Sequence, residues 1–231
     1  MQQQKRRKRT QRKRLINLLN KELRLPANPL SFLFLILTGT TLLPGYPILV
    51  GAMFVCLGIF YSFQAMRENN DLLYTVLLPI PKRDAVTAKY LFSCLIQGIA
   101  FLLTILFTAL RMTVLSDGRA YTGNVLMPAN PVFLGFTLLI FAAFNVLFLG
   151  GFFKSGGGIG RPFLAFLAAA VVLMALGETL HHLPGLSFLR AIQGRELLLQ
   201  WPILLVCALA WGIATLRAWR LAQTRFVKMD L

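Results

Sequence analysis

Apolar stretches without any charged side chain alternate with short polar segments along the chain. Six such stretches occupy residues 30–43, 46–66, 90–110, 131–153, 162–177 and 201–216. A helix needs about 20 residues to cross a hydrocarbon core of about 30 Å, and a charge at its centre costs about 2.5–3.5 kcal/mol. The second, third and fourth stretches meet this length, and the others meet it with a few flanking residues. The pattern predicts an all-α, polytopic membrane protein with six transmembrane helices.

The residues ahead of the first stretch form two segments of different character. Eight of the ten residues from 5 to 14 are basic, and we predict that residues 1–14 are a disordered cytoplasmic tail, because this composition cannot bury a core. Residues 15–25 place their leucines on one half of a helical wheel and their asparagines and basic residues on the other. This spacing predicts an amphipathic helix on the membrane surface, followed by the six-helix domain of residues 26–231.

One acidic residue, Glu22, falls within the apolar half of this amphipathic helix. A carboxylate is unfavourable against lipid. We therefore expect Glu22 to face protein, with a basic residue at the end of another helix as its partner. Extension of the side chain to water is the alternative.

The polar segment between the second and third stretches, residues 65–90, carries a helical pattern of its own. Acidic and amide residues at 68–71 supply capping groups, and Asp84 or Thr87 can cap the helix that follows. Apolar residues with the spacing i, i+1, i+4, i+5 come next, at Leu72, Leu73, Val76 and Leu77. Prolines at 79 and 81 end the pattern. We predict a short helix parallel to the membrane, with a shape that a soluble partner can bind.

Composition agrees with a membrane environment. Of the 231 residues, 57% are hydrophobic and 14% are charged, whereas about 25% are charged in soluble domains. The three cysteines lie in apolar stretches and are odd in number, so we expect them to pack rather than to form disulfides. The net charge of +16 does not indicate nucleic acid as a partner, because the basic tail lacks interleaved aromatic residues and a folded binding module.

The placement of basic residues predicts the orientation. With six crossings, 20 of the 24 Lys and Arg residues fall on one side, in residues 1–27, 67–89, 154–161 and 217–228. Basic segments remain on the cytoplasmic side during insertion. We therefore predict that both termini are cytoplasmic and that the basic tail contacts anionic membrane lipid.

Few polar residues inside the predicted spans are candidates for function. Gln97 and Asn145 either hydrogen-bond between helices or line a substrate path. Glu178, His181 and His182 have a spacing that can bring metal ligands together, but the chain has only these two histidines and no matching motif, so we expect no metal. We also predict no catalytic residues, because the sequence contains no recognisable catalytic triad and no carboxylate pair within a span.

A glycine-rich segment, residues 150–162, contains Lys154 and Ser155 ahead of its run of glycines. A phosphate-binding loop of the Walker A type requires the Lys and the Ser or Thr directly after its last glycine, and a strand before it. We therefore predict a flexible turn and no cofactor bound by this chain.

Three segments resemble the permease subunits of type-2 ATP-binding-cassette (ABC) exporters, within a compact bacterial branch with six spans. LLNKELRLPANPL at residues 18–30 is similar to the interfacial helix of that family, ENNDLLYTVLLPIPKRDAVTAKYL at 68–91 to its first cytoplasmic loop, and RFVKMDL at 225–231 to its ending. Together with the six spans, the resemblance covers nearly everything after residue 14.

The resemblance implies a multi-pass permease of the bacterial cytoplasmic membrane. It would pair with a second copy or a paralogue and with two separate ATPase subunits, which bind the ATP. Residues 68–84 would hold the coupling helix, and residues 181–200 would correspond to re-entrant helices that close the exit in larger relatives. The expected ATPase contacts are Glu68, Asp71, Leu72, Leu73, Val76, Leu77, Leu78, Lys82 and Arg83. The alternative function is a membrane scaffold that does not transport.

Overall fold

The computed structural model describes residues 2–24, 29–115, 118, 121 and 125–228, with their side chains except those of residues 2–12, 30, 72 and 76. Within these ranges the chain forms helices and turns and no strand, so the all-α prediction is confirmed. The helices are α1 (Gln2–Arg24), α2 (Pro29–Ile36), α3 (Val50–Glu68), α4 (Asp71–Leu77), α5 (Lys82–Thr113), α6 (Pro131–Lys154), α7 (Gly160–Leu180), α8 (Arg195–Leu198) and α9 (Gln200–Val227).

Five helical segments are long and apolar enough to cross a membrane, which confirms a polytopic membrane protein: α3, α5, α6, α7 and the continuous segment Arg195–Val227. The first predicted span is shorter. It consists of the eight residues of α2 and a six-residue 3₁₀ helix, Leu37–Leu42. At 1.5 Å per α-helical and 2.0 Å per 3₁₀ residue these reach about 24 Å, less than the hydrocarbon core of about 30 Å. Residues 25–28, which we expected to extend this span, lie outside the described residues.

Helix α1 is longer than the sequence pattern predicts. It begins at Gln2, so the backbone of residues 2–14, for which we predicted disorder, continues the helix expected at residues 15–25. Lys, Arg and Gln have long unbranched side chains that lose little rotamer freedom in a helix. A composition that cannot form a core is therefore still compatible with a helix.

The central helix of the bundle is α6. In the most apolar 18-residue stretch of α6, 78% of the residues are buried, compared with 17% in the corresponding stretch of α7 and 11% in that of the segment that contains α9. Asn130 caps α6 by accepting a hydrogen bond of 3.1 Å from the backbone N–H of Phe133. The six residues Phe144–Leu149 form a π-helical turn in the middle of α6, a rare geometry that is frequent at functional sites.

Phenylalanine rings fill the core between α3, α6 and α7. The rings of Phe60 and Phe163 stack with their centroids 4.0 Å apart, and those of Phe63 and Phe152 meet edge to face at 4.9 Å. Each such pair contributes about 0.5–1.5 kcal/mol beyond the burial of its area. These contacts hold α3 and α7 against the π-helical half of α6.

The helices define two chemically different ends of the bundle. We call the end that holds residues 13–24, 67–89, 154–161 and 217–228 the basic end. Here an ion pair of 2.6 Å joins Arg14 of α1 to Asp84 of α5, and Gln223 of α9 donates a hydrogen bond of 2.9 Å to Thr87 of α5. The first and last helices therefore meet at the same end of the bundle.

Backbone carbonyls and buried polar side chains hold the opposite end together. Arg111, in the last turn of α5, donates a hydrogen bond of 2.7 Å to the Thr41 carbonyl. Asn130 and Gln200 donate hydrogen bonds to carbonyls in the segment before α9, which contains the 3₁₀ helix Ser187–Arg190 and α8. Two four-residue helices thus occupy the region in which we expected re-entrant helices.

Candidate functional site

The connection between α3 and α5 folds into a short helix that ends before a proline, as the sequence predicts. Helix α4 is followed by Leu78 in an extended conformation, which suits a residue that precedes Pro79. The chain turns from α3 into α4 at Asn70, which has a backbone φ of 52°. Asparagine adopts this left-handed conformation more readily than most residues. The turn directs α4 away from the axis of α3.

The helix caps that we predicted here do not form. Asn70 precedes α4 and Pro81 precedes α5, and neither makes a side-chain hydrogen bond to the helix. Asp84 instead pairs with Arg14, and Thr87 donates to a carbonyl of the preceding turn. The Asp84 carboxylate thus joins α5 to α1 through an ion pair and does not cap its own helix.

Four charged side chains from three helices form what we call the charge cluster: Lys21, Glu22, Asp71 and Lys89. Lys89 lies 3.1 Å from a carboxylate oxygen of Glu22 and 3.1 Å from one of Asp71. Lys21 lies 2.6 Å from the other oxygen of Asp71 and 3.7 Å from Glu22. The Lys89 and Glu22 side chains are 0% and 1% exposed. The cluster has no net charge, which makes its burial tolerable.

The charge cluster ties α4 to its neighbours. Lys21 donates a hydrogen bond of 2.6 Å to the Thr75 hydroxyl, which is buried on the inner face of α4. Lys89 also contacts the sulfur of Met66 in α3. Contacts from α1 and α5 therefore hold α4, and Lys89 also connects this cluster to α3. Glu22 faces protein, as expected, and its partner Lys89 lies near the start of α5.

Protonation of Asp71 would weaken the charge cluster. Burial by itself would raise the pKa of the Asp71 carboxyl, but Lys89 and Lys21 outweigh it and lower that pKa below its ordinary value. A lowered carboxyl pKa adds stability above the ordinary pKa, and this stability is lost as the pH falls through the lowered value. The attachment of α4 is therefore intact at neutral pH and weakens only in acid.

The face of α4 opposite the charge cluster is apolar and exposed. Leu73 is 49% exposed and Leu77 74%, and Tyr74, which we did not predict, lies beside them. Leu78 is also exposed, just after the helix. Leu72 and Val76 are the other two aliphatic residues that we predicted as contacts, and their side chains are not among those that the structure describes.

The charged residues that we predicted to flank this face occupy different environments. Glu68 and Arg83 are exposed, and Glu68 accepts a hydrogen bond from Gln64. Lys82 is partly buried. Asp71 differs from these because its side chain points into the charge cluster and is 14% exposed. Asp71 therefore holds α4 in place and does not offer a free carboxylate to a partner.

The glycine-rich segment lies beside α4. A cavity of about 360 Å³ separates the turn at Ser155 to Gly158 from Arg67, Asn70 and Leu73. Gly156 and Gly157 have φ angles of 65° and 102°, which only glycine adopts without strain. The two connections at the basic end thus border one surface depression.

Gln97 and Asn145 form a reciprocal pair inside the chain. Gln97 donates to Asn145 at 2.9 Å, and Asn145 donates back to Gln97 at 3.0 Å and to Thr215 at 3.0 Å. We call these three residues the amide triad. All three are buried, and they join α5, α6 and α9 at the π-helical turn. In this structure the two amides face each other and not an open path.

We expect the Asn145→Leu variant to be less stable than the Asn145→Leu/Gln97→Leu double variant. The single change leaves the buried Gln97 amide without its partner, which costs about 1–3 kcal/mol, whereas the double change removes both polar groups. Thermal unfolding in detergent measures the difference. Equal stability of the single and double variants would contradict the pairing.

The histidine-containing motif at the end of α7 serves packing in this structure. Glu178 accepts a hydrogen bond of 2.8 Å from the backbone N–H of Met127, and the rings of His181 and His182 lie 4.0 Å apart. Among the residues that the structure describes, no three potential ligands lie close enough together to hold a metal ion.

Comparison of the sequence with known protein families agrees with this architecture. A model of the ABC-2 family transporter proteins matches residues 17–216. The chain belongs to the ABC-2 transporter family. The match begins within α1 and ends within α9, so this ABC-2 region contains the charge cluster, α4 and the amide triad. As a member of that family, the chain is a membrane permease component of an ABC transporter. Comparisons with curated proteins and with solved structures give no significant match.

Proposed function

We propose that this permease couples to separate cytoplasmic ATPase subunits through the exposed face of α4 and exports its substrate. The observation that supports the proposal is that one face of α4 is bonded to neighbouring helices and the opposite face is exposed. The charge cluster holds the inner face of α4, and Leu73, Tyr74 and Leu77 leave an apolar outer face exposed. An exposed apolar patch at the end of a bundle is suited to a protein partner.

The bonds on the inner face of α4 would transmit a displacement of α4 to the membrane-spanning helices. Asp71 of α4 is bonded to Lys89, which belongs to the 32-residue helix α5. A force that moves α4 therefore acts directly on a helix that extends through the membrane. The amide triad then connects α5 to α6 and α9. ATP-driven closure of the partner subunits is the force that we propose.

We also propose that the basic end faces the cytoplasm and that a second permease copy or paralogue completes the path. The concentration of Lys and Arg at this end supports the orientation. The apolar surfaces of α7, which include Leu164, Val171 and Val172, are largely exposed in the single chain. They are available for a second permease or for lipid.

We expect the Leu73→Asp/Leu77→Asp variant to lose its ATPase partner. Burying a leucine side chain contributes about 1.5–3 kcal/mol, and two carboxylates placed in an apolar interface oppose association further. The measurement is co-purification of the tagged permease with the co-expressed ATPase. We expect the recovered ATPase to fall by about tenfold or more, since each 1.4 kcal/mol corresponds to a factor of ten.

The matched control places two aspartates at the opposite end of the bundle, in the Leu198→Asp/Leu199→Asp variant. Both leucines are exposed, so the charge added is the same but lies far from α4. This variant should retain the ATPase. Full recovery of the ATPase with the α4 variant would refute the assigned contact. Binding without any effect of the permease on ATP hydrolysis would indicate the scaffold function instead.

A further inference from the structure

An apolar cavity of about 440 Å³ opens on the side of the bundle near the basic end, between α1, α5 and α9. Its volume falls in the range of about 300–1,000 Å³ that is typical of ligand sites. The residues that line it are Leu15, Thr87, Tyr90, Leu91, Cys94, Thr215, Leu216 and Trp219. The cavity is separate from α4 and from the amides of the triad.

The polar groups on the cavity wall are already bonded within the protein. Thr87 donates to the preceding turn and accepts hydrogen bonds from Trp219 and Gln223. The hydroxyl of Tyr90 donates to the Asn145 carbonyl, and Thr215 accepts from the Asn145 amide. The wall therefore presents apolar surface to an occupant and has no polar group to offer it.

The shape of the cavity follows the helix axes. On α5 its lining residues recur at i, i+3, i+4 and i+7, from Thr87 to Cys94, which is one face of a helix over about 10 Å. Leu91 and Leu216, on the facing helices, are both exposed at its mouth. A slot of this height, lined by carbon atoms and open to the side of the bundle, fits a hydrocarbon chain.

Two arginines lie one helical turn beyond the residues that line the slot, toward the basic end. Arg83 lies one turn before Thr87 on α5, and Arg220 lies one turn after Leu216 on α9; both are exposed. Among the described residues neither guanidinium forms an ion pair, and Asp84, which follows Arg83 in the sequence, is paired with Arg14. A guanidinium presents several donors in a planar fork that suits a phosphate group.

We propose that this cavity binds one acyl chain of an anionic phospholipid, with the lipid phosphate held by Arg83 and Arg220. An apolar slot followed by two arginines that have no ion pair among the described residues is complementary to a hydrocarbon chain that ends in an anion. The site depends on the membrane location of the protein and not on its proposed coupling to an ATPase.

Trp219 lines the cavity and reports on its contents. The chain has three tryptophans, so a Trp201→Phe/Trp211→Phe variant leaves Trp219 as the only one. This variant is reconstituted in phosphatidylcholine vesicles that contain increasing fractions of phosphatidylglycerol or phosphatidylcholine brominated on an acyl chain. Bromine quenches a tryptophan that it contacts. We expect brominated phosphatidylglycerol to quench Trp219 with an apparent affinity on the order of tenfold higher than brominated phosphatidylcholine.

Two controls separate a site from general attraction to a basic protein. The Trp211→Phe/Trp219→Phe variant keeps Trp201, which is exposed at the opposite end and should show no preference between the lipids. Adding Arg83→Gln/Arg220→Gln to the Trp219 reporter should abolish the preference. Adding Lys154→Gln/Arg161→Gln, at two exposed basic residues of the same end, should leave it intact.

The proposal predicts in addition that Cys94→Phe, which fills the cavity, reduces the quenching of Trp219 by both lipids. Equal quenching of Trp219 by the two brominated lipids, in the variant with all basic residues present, would overturn the site. So would a preference that persists in Arg83→Gln/Arg220→Gln. Quenching no stronger than that of Trp201 by either lipid would show that the cavity is not occupied by lipid.

Discussion

The Lys89→Met variant should lose about 3–5 kcal/mol of stability, because it leaves two carboxylates buried without their shared cation. Lys89 is fully buried and lies 3.1 Å from both Glu22 and Asp71. Methionine has a similar length and preserves the packing, so the loss of stability measures the effect of removing the charge. Thermal unfolding in detergent, followed by the fraction of protein that remains monodisperse, measures the effect.

A matched control is Lys154→Met, which removes an exposed lysine at the same end of the bundle and should change stability little. The triple variant Glu22→Gln/Asp71→Asn/Lys89→Met removes three of the four charges and leaves only Lys21, whose side chain is 18% exposed and donates to Thr75. It should recover part of the loss, because no carboxylate then lies buried without its cation. Since Lys89 helps to lower the pKa of Asp71, the single variant should also lose stability in mild acid more gradually than the parent. A Lys89→Met protein as stable as the parent would show that the cluster is not buried.

Most of the spans and helix α4 are predictable because their signals are local. A charge-free run of about 20 residues has few alternatives to a membrane helix, and α3, α5 and α6 occur where such runs lie. In α4, the spacing of the leucines and the prolines after them fix both the helix and its end. The first predicted span is less predictable, because its apolar run is short and part of it forms a 3₁₀ helix.

The sequence alone predicts only part of the charge cluster. The position of Glu22 in an apolar arc signals that it needs a partner within the protein. The partner, Lys89, is 67 residues away. In the sequence, nothing distinguishes Lys89 from the other basic residues of the segment that we predicted to be cytoplasmic. Asp71 likewise resembles a helix cap. Only the packing of α1 across the start of α5 brings the three side chains together.

The amide triad shows the same limit. Gln97 and Asn145 are conspicuous as large polar residues within apolar spans, but either of two roles suits them. Their pairing depends on the rotation of α5 relative to α6, and on a π-helical turn that local propensity does not reveal. Periodicity identifies the residues, and tertiary packing determines their role.

The Gly58→Val variant should separate α2 from α3. A Cβ atom at Gly58 would lie 3.0 Å from the Cβ of Phe34 and 3.1 Å from the Cα of Ser31. The second of these atoms is backbone, so a side-chain rotation cannot relieve the clash. Ser31 also donates a buried hydrogen bond of 2.6 Å to the Gly58 carbonyl. We expect a loss of about 1–3 kcal/mol from overpacking, and more as this hydrogen bond breaks.

The control for this change is Gly98→Val in α5, where an added Cβ has no atom within 4 Å. Both substitutions put a valine into an apolar span, so they share the same propensity and lipid effects and differ only in the helix contact. Small residues allow membrane helices to approach closely, and α2, which has only eight residues, depends on that approach for its position. Thermal unfolding in detergent should therefore show a clear loss for Gly58→Val and almost none for Gly98→Val. Equal stability of the two variants would mean that α2 does not pack on α3 at Gly58.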